Sequence, residues 1–324
     1  MAADANVVLT LPSSALPAEP WSLQQSGSYL YWVGGSKLLR VSKTGGVVQT
    51  VATGVAGGNW DPSFTVLDGY AFYLGSAGLM RVPVTGGTPE SFAPSAITLP
   101  GSDGTFFYWA ERVDDAINFT SSVILRRAPV SGGATTQLAS FGWDAGDQFP
   151  DDLIVVGGRI WFHYTSGSVD QPFYAYDIFI VDIPPAGEQA STLQRLPFLC
   201  GSRFVVTAKT VFCGNRSPNP DGSSYHYFAV GLDTTTFATR TFWGGEGMVT
   251  APWAPKQASA MLPGMVAMEN IGAASDKNAY AAGVRFPLCG GNTLSTLFPS
   301  SSVVTADGEH VFWISGSTLR VLPE

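Results

Sequence analysis

Charge is scarce in this chain, and basic charge is scarcer still. Seventeen Lys and Arg stand against 25 Asp and Glu in 324 residues, for a net charge of −8. The basic residues are scattered and form no stripe, which argues against nucleic acid or an anionic membrane surface as a partner. No apolar stretch approaches the roughly eighteen residues that a membrane-spanning helix needs, so membrane insertion is not expected. There are only three histidines, His163, His226 and His310, and they fall at unrelated places in the pattern described below, so a three-histidine zinc site is not expected. Cysteine is equally sparse. Cys200 and Cys213 bracket a predicted hairpin and read either as a disulfide across its open end or as two buried thiols, leaving Cys289 as a small core hydrophobe. Also missing are the G-x-S-x-G elbow, the P-loop, the H-E-x-x-H helix and the C-x-x-C pair, so no common catalytic signature is present. The first residues, MAADANVVLT, lack a basic segment followed by a long apolar one. Either the protein is cytoplasmic or a signal has been removed. Low Lys and high Ser, Thr and Gly content favour the second reading: secreted or periplasmic, with a lipoprotein origin included.

What the chain does have is apolar surface, aromatics and turns. Apolar residues make up 45%, enough for a sizeable core, and 37 glycines and 22 prolines fall between short β-branched and aromatic runs. One turn recurs: Val-Ser-Lys-Thr-Gly-Gly at 41–46, Val-Pro-Val-Thr-Gly-Gly at 82–87, Ala-Pro-Val-Ser-Gly-Gly at 128–133, Ile-Pro-Pro-Ala-Gly at 183–187 and Phe-Pro-Leu-Cys-Gly-Gly at 286–291. Leu232 to Thr236 occupies the place of a degraded copy. From Gly45 to Gly290 is 290 − 45 = 245 residues, or five steps averaging 49, against roughly 40–50 for a propeller blade.

Ahead of each turn lies a strand with arginine near its end (Arg40, Arg81, Arg126 or Arg127, Arg320), and ahead of that an aromatic strand such as Tyr29–Trp32 or Phe106–Trp109. A tight Gly-bearing turn, often Asp-Gly, precedes the aromatic strand, and a further short strand precedes that turn. Each unit is therefore four antiparallel strands, A to D. The expected architecture is a single all-β domain over 1–324, a seven-bladed β-propeller with six blades as the alternative. Blades are placed at 21–61, 62–96, 97–149, 150–199, 200–247, 248–300 and 301–324. The last has three strands, and the N-terminal strand Asn6–Leu11 is expected to supply its fourth and close the ring.

These residues resemble the TolB-like and YWTD- or NHL-like propellers, and in particular bacterial secreted or lipoprotein repeats with an aromatic strand, an Arg-bearing strand and a Pro…Gly-Gly turn. The match is closest from Tyr31 to Gly46, Phe72 to Gly87, Tyr108 to Leu138 and Phe312 to Leu322, and fades between 204 and 285. The YWTD tetrad itself is absent. The resemblance implies a propeller fold and an extracytoplasmic location. It implies no reaction, since such propellers range from binding scaffolds to lactonases and lyases.

In a propeller the D-to-A linkers and B-to-C loops share the ligand-binding face. Five of the nine tryptophans lie in expected linkers, together with acidic residues: Trp21, Trp60 with Asp61, Trp143 with Asp144, Trp243 and Trp253. Aromatic faces stack on sugars or apolar ligands, and carboxylates accept from hydroxyls, so Trp21, Trp60, Trp143, Asp144 and Trp243 are candidate binding residues; wedging between blades is the structural alternative. Several B-strand ends turn polar: Glu111-Arg112, His163, Asn215-Arg216 and Glu269-Asn270. There the B-to-C loops are expected to be longest, at Val113–Ser122, Thr165–Tyr176, Arg216–Tyr225 and Ile271–Asn278. Glu111, His163, Arg216 and Glu269 would suffice for acid/base chemistry with anion stabilisation, while Arg112, Asn215 and Asn270 would bind ligand; ion pairing at the surface is the alternative. Asp144, Asp147, Asp151 and Asp152 form a weak calcium candidate, lacking the EF-hand spacing, and no other cofactor is implied. Three functions follow: a monomeric binding protein for a glycan, small molecule or protein loop; a propeller hydrolase or lyase; or an interaction scaffold.

Overall fold

A computed structural model describes residues 6–16, 23–55, 64–115, 120–143, 153–164, 176–185, 187–188, 190, 193–200, 204–206, 209–218, 225–243, 273–274, 278–281, 284–287, 295–296 and 303–323. Their strands form seven four-stranded sheets with antiparallel neighbours. The chain divides into two compact units, one of residues 13–198 and one of residues 1–12 with 199–324.

The first unit holds four sheets, whose strands are lettered A to D in chain order. Sheet 1 is Gln24–Ser26, Tyr29–Gly34, Lys37–Ser42 and Gln49–Thr53. Sheet 2 is Phe64–Leu67, Tyr70–Gly75, Gly78–Pro83 and Glu90–Ala93. Sheet 3 is Gly101–Ser102, Phe106–Asp115, Thr120–Pro129 and Thr136–Trp143. Sheet 4 is Ile154–Val156, Arg159–Tyr164, Tyr176–Asp182 and Leu193–Cys200. The second and third residues of each B strand explain why these segments are strands buried on both faces. Leu30-Tyr31, Ala71-Phe72, Phe107-Tyr108 and Ile160-Trp161 are all at most 2% exposed, and β-branched and aromatic side chains fit a pleated, packed surface.

The cores lie between successive sheets. Tyr31, Val33 and Val51 of sheet 1 pack on Phe64 and Tyr73 of sheet 2. Phe72 and Leu79 pack on Phe107 and Trp109, and Tyr108, Val123 and Leu138 on Ile160 and Phe162. The A strands meet by two different devices. Gln24 spans sheets 1 and 2 as a peptide would: its Nε2 donates to Phe64 O at 2.9 Å and its Oε1 accepts from Val66 N at 3.1 Å. Gly101 instead lets sheets 3 and 4 close together, since a Cβ there would stand 2.6 Å from Val155 Cγ2 and 2.7 Å from Leu153 O.

The repeated turn is one structure. Gly45-Gly46, Gly86-Gly87 and Gly132-Gly133 all have positive φ, between 89° and 145°, which glycine alone adopts readily. In each sheet a backbone N–H just past strand C donates to the carbonyl just before strand B: Lys43 to Ser28, Val84 to Gly69, Val130 to Thr105 and Ile183 to Gly158, all at 2.9 Å.

Strand register sorts the arginines into two positions. Arg40, Arg81 and Arg127 face Tyr31, Phe72 and Tyr108, the same B-strand place. Each guanidinium lies over the first aromatic ring of its B strand, at 4.5 Å for Arg40 on Tyr29, 4.9 Å for Arg81 on Tyr70 and 4.9 Å for Arg127 on Phe106. Arg126 and Arg320 are different: they face Trp109 and Trp313.

The second unit holds sheet 5 (Phe204–Val206, Thr210–Pro218, Tyr225–Asp233, Thr239–Trp243), sheet 6 (Ala273–Ala274, Asn278–Ala281, Val284–Pro287, Ser295–Thr296) and sheet 7. The degraded turn of sheet 5 replaces glycine pairs with side-chain chemistry. Asp233 Oδ1 accepts from Thr235 N at 2.9 Å and Thr236 N at 2.7 Å, and Phe237 takes the positive φ of 58°. Sheet 7 is Val303–Ala306, His310–Ser315 and Thr318–Pro323, with the N-terminal strand Asn6–Thr10 paired antiparallel to Thr318–Pro323 as its fourth member. Cys200 ends strand D of sheet 4, whereas Cys213 lies in sheet 5 opposite Phe204, so the two cysteines do not bracket one hairpin.

Candidate functional site

Sheet 3 departs from sheets 1 and 2 at one end. Its B and C strands have ten residues each, against six in sheets 1 and 2. Pairing runs without a break from Phe106↔Pro129 to Asp115↔Thr120. The expected loop Val113–Ser122 is therefore mostly strand. Alternating residues keep satisfying the ladder, so the hairpin is four residues a side longer than those of sheets 1 and 2, roughly 13 Å at about 3.4 Å per residue, and strand D accompanies it as far as Ser121. Sheet 5 repeats the device: Arg216–Pro218 is strand rather than loop, paired with Tyr225–Tyr227.

Side chains along this hairpin alternate between its faces. Glu111 stands on the row of Trp109 and Val113, and both of its carboxylate oxygens are engaged. Trp109 Nε1–H donates to Oε1 at 2.9 Å and Arg126 Nε–H to Oε2 at 3.0 Å. Arg126 reaches it because register sets Arg126 opposite Trp109, diagonal to Glu111. The pair is largely screened from solvent, with 15% of the Glu111 side chain exposed and 27% of Arg126. Arg112 is on the opposite face. Its Nε contacts Asp114 Oδ1 at 2.6 Å, and Ser121 Oγ donates to the same oxygen at 2.6 Å. The Ser121 hydroxyl, then Arg112, hold the Asp114 carboxyl below its ordinary value. Further along the ladder Val113 is 45% exposed, and a Cβ on Gly142 would meet nothing within 4 Å. Val113, Ser122 and Gly142 share one register row, an accessible shelf of small side chains.

At the other end of sheet 3, Asp103 organises the A–B turn. Its Oδ1 accepts from Thr105 N and Phe106 N, both at 2.8 Å, and its Oδ2 accepts from the Tyr108 hydroxyl at 2.6 Å. Burial works to raise the Asp103 carboxyl, but the Tyr108 hydroxyl and the backbone donors outweigh it and hold the group below its ordinary value. Burial, reinforced by Asp103, pushes the Tyr108 hydroxyl well above the usual tyrosine range.

The candidate residues do not share a register position. Glu111 is the sixth residue of its B strand, His163 the fifth and Arg216 the seventh. Asn215 matches Glu111 in position, and Arg216 matches Arg112. Trp143 and Trp243 are the last residues of D strands rather than linker residues, opposite Ser121 and Ala229. Trp21, Trp60, Asp144, Asp147, Asp151, Asp152, Glu269 and Asn270 lie outside the described residues. Among the described residues no three of His, Cys, Asp and Glu are grouped to hold a metal. The roles of Trp109, Arg126, Asp103 and Gln24 escaped sequence reading. For Arg126 the signal was present, since counting from the Gly-Gly turn separates it from Arg127.

No family model and no curated protein matches the sequence. Solved structures do. The Pan2 WD40 domain of Neurospora crassa is 11% identical with a TM-score of 0.50, over 93% of this chain and 87% of that one. The polysaccharide lyase Uly1 is 10% identical with a TM-score of 0.48, over 95% and 91%. The tricorn protease is 8% identical with a TM-score of 0.49, over 86% of this chain, which spans only 30% of the protease chain. WD40 repeats build propellers of four-stranded blades, and at this identity the likeness to the Pan2 domain supports the fold alone: the chain has a propeller-type all-β fold.

Proposed function

We propose that this chain is an extracytoplasmic, TolB-like propeller of seven blades, its ring closed by the N-terminal strand, that binds a ligand at the B–C ends of its sheets. The ligand is a glycan, a small molecule or a protein loop. The observation that carries the reading is the sheet 3 hairpin of two ten-residue strands with its row of Val113, Ser122 and Gly142. A propeller needs no such extension for its own packing, and binding residues concentrate on extensions held by a rigid scaffold. Binding is favoured over hydrolysis or lysis by the state of Glu111. With both oxygens occupied by Trp109 and Arg126, it serves as an acceptor that stiffens the base of the hairpin.

The test is a thermal-shift screen of oligosaccharides, small metabolites and short peptides against the wild type and a Val113→Asp/Ser122→Arg variant. Val113 is exposed and Ser122 half-buried, so the variant's own midpoint is measured first and the ligand shift is read against it. A hit that shifts the wild type and not the variant supports the reading. Hits that shift both proteins equally place the binding surface elsewhere.

A further inference from the structure

The N-terminal strand Asn6–Thr10 is buried less than the outer strands of sheets 1, 2 and 3. Outer strands of sheets 1, 2 and 3 each bury side chains in the core: Val51 and Ala52, Ala93, and Leu138. In the N-terminal strand Val7 is 54% exposed, Thr10 is exposed, and Val8 and Leu9 are only half-buried. Its register carries the same one-residue bulge as the outer strands of sheets 1, 2 and 3: Val7 faces Arg320 and Leu9 faces Leu319, leaving Val8 as the bulge. There the bulged Val51 and Leu138 are buried, whereas Val8 is only half-buried. Backbone hydrogen bonds to one strand, rather than core burial, therefore hold it. Removing it exposes the edge of Thr318–Pro323, the strand that carries the fully buried Leu319.

Two anchors bracket a short hinge. Leu11, itself 3% exposed, donates its N–H to Ser317 O at 2.7 Å. Four residues on, Ala15 O accepts from Trp32 Nε1 at 2.6 Å. Pro12 to Ser14 lie between them, and a short constrained hinge is the feature that favours exchange of an element between copies. The strand reads Asn-Val-Val-Leu-Thr, with none of the charges or prolines that guard natural edges.

We propose that this strand exchanges between two copies of the chain. Each copy's Asn6–Leu11 would then seat on the other's Thr318–Pro323, forming a strand-swapped dimer. The occupant is identified by the structure itself, since the same segment already fits that edge within one copy. Exchange remakes every bond it breaks, so concentration decides between the monomer and the dimer.

The test uses full-length chains. One carries V7C and the other R320C, positions paired in register and within disulfide reach across an antiparallel ladder. The two are mixed, held warm below the unfolding midpoint, and oxidised. A cross-link joining the V7C and R320C peptides, mapped by mass spectrometry so that the native cysteines do not confound it, is the expected product. Below saturation its share should rise roughly tenfold for a tenfold rise in concentration. The double variant V7C/R320C in one chain is the control. If it closes within the chain while the mixture gives no hetero cross-link, exchange does not occur and the proposal fails. If the double variant does not close either, the strand pairing is wrong and the proposal fails with it.

Discussion

Arg40 Nη1 donates to the carbonyl oxygen of Val84 at 2.5 Å, across 44 residues of sequence and from one sheet to the next. Arg127 does the same two sheets further on, giving Nη1 to Pro184 O at 3.1 Å and Nη2 to Pro185 O at 3.3 Å. In both cases strand C of one sheet holds the C–D turn of its successor. A single arginine thus stacks on its own B strand and staples the neighbouring sheet.

Arg127 is 4% exposed, so its removal should be costly. Arg127→Met keeps the apolar stem but leaves the part-buried carbonyls of Pro184 and Pro185 without this donor, for an expected loss of about 1–3 kcal/mol. Arg127→Lys should recover little, because one ammonium cannot stack on Phe106 and reach both carbonyls. Urea unfolding midpoints of the three proteins check this. Equal midpoints for wild type and Arg127→Met would remove the staple from the account.

Two glycines should respond oppositely to the same change. Gly101→Ala forces a methyl against the backbone of Leu153, with an expected cost of about 1–3 kcal/mol from overpacking. Gly142→Ala meets nothing within 4 Å and should stay within about 0.5 kcal/mol of wild type. Thermal unfolding distinguishes the pair.

Glu111→Ala leaves the Trp109 N–H and the Arg126 guanidinium without their acceptor, for an expected cost of about 1–3 kcal/mol. Glu111→Gln should lose less, since its amide oxygen still accepts one bond. Ordered midpoints of wild type, Gln and Ala are the expected denaturation result.

The Asp103–Tyr108 pair predicts the shape of the pH profile. The folded Asp103 carboxyl lies below its ordinary value, so its contribution is present above the unfolded value, about 3.9, and is lost as pH falls through the folded one. The Tyr108 hydroxyl is raised, so its contribution is present below about pH 10 and is lost as pH rises through its folded value. Asp103→Asn should flatten the acid limb of stability against pH, and Tyr108→Phe the alkaline limb. Stability measured across both limbs checks each assignment separately.

The scaffold was legible because its signals are local. A Gly-Gly pair demands positive φ, and an aromatic run of four at fixed distance from it has one way to pack, so the sheets around Tyr31, Phe72 and Tyr108 could be read from spacing alone. The turn at Asp233 was also readable as a degraded copy, although that Phe237 would carry the positive φ was not. The hairpin of sheet 3 was misjudged, because residues such as Val113 and Ser122 look like loop until their cross-strand partners are known. Gln24 was invisible for a similar reason: its partners, Phe64 and Val66, lie in another sheet. Linker and loop candidates such as Trp60, Asp144 and Glu269 lie outside the described residues.

The most direct test of the binding proposal is backbone hydrogen exchange on the wild-type chain, with and without a ligand captured in the thermal-shift screen. Added protection is predicted at 111–115 and 120–124, the lengthened end of the sheet 3 hairpin, with the Gly-Gly turns at 43–46 and 84–87 unchanged. Protection confined to those turns, with the hairpin exchanging as in the free protein, would contradict it.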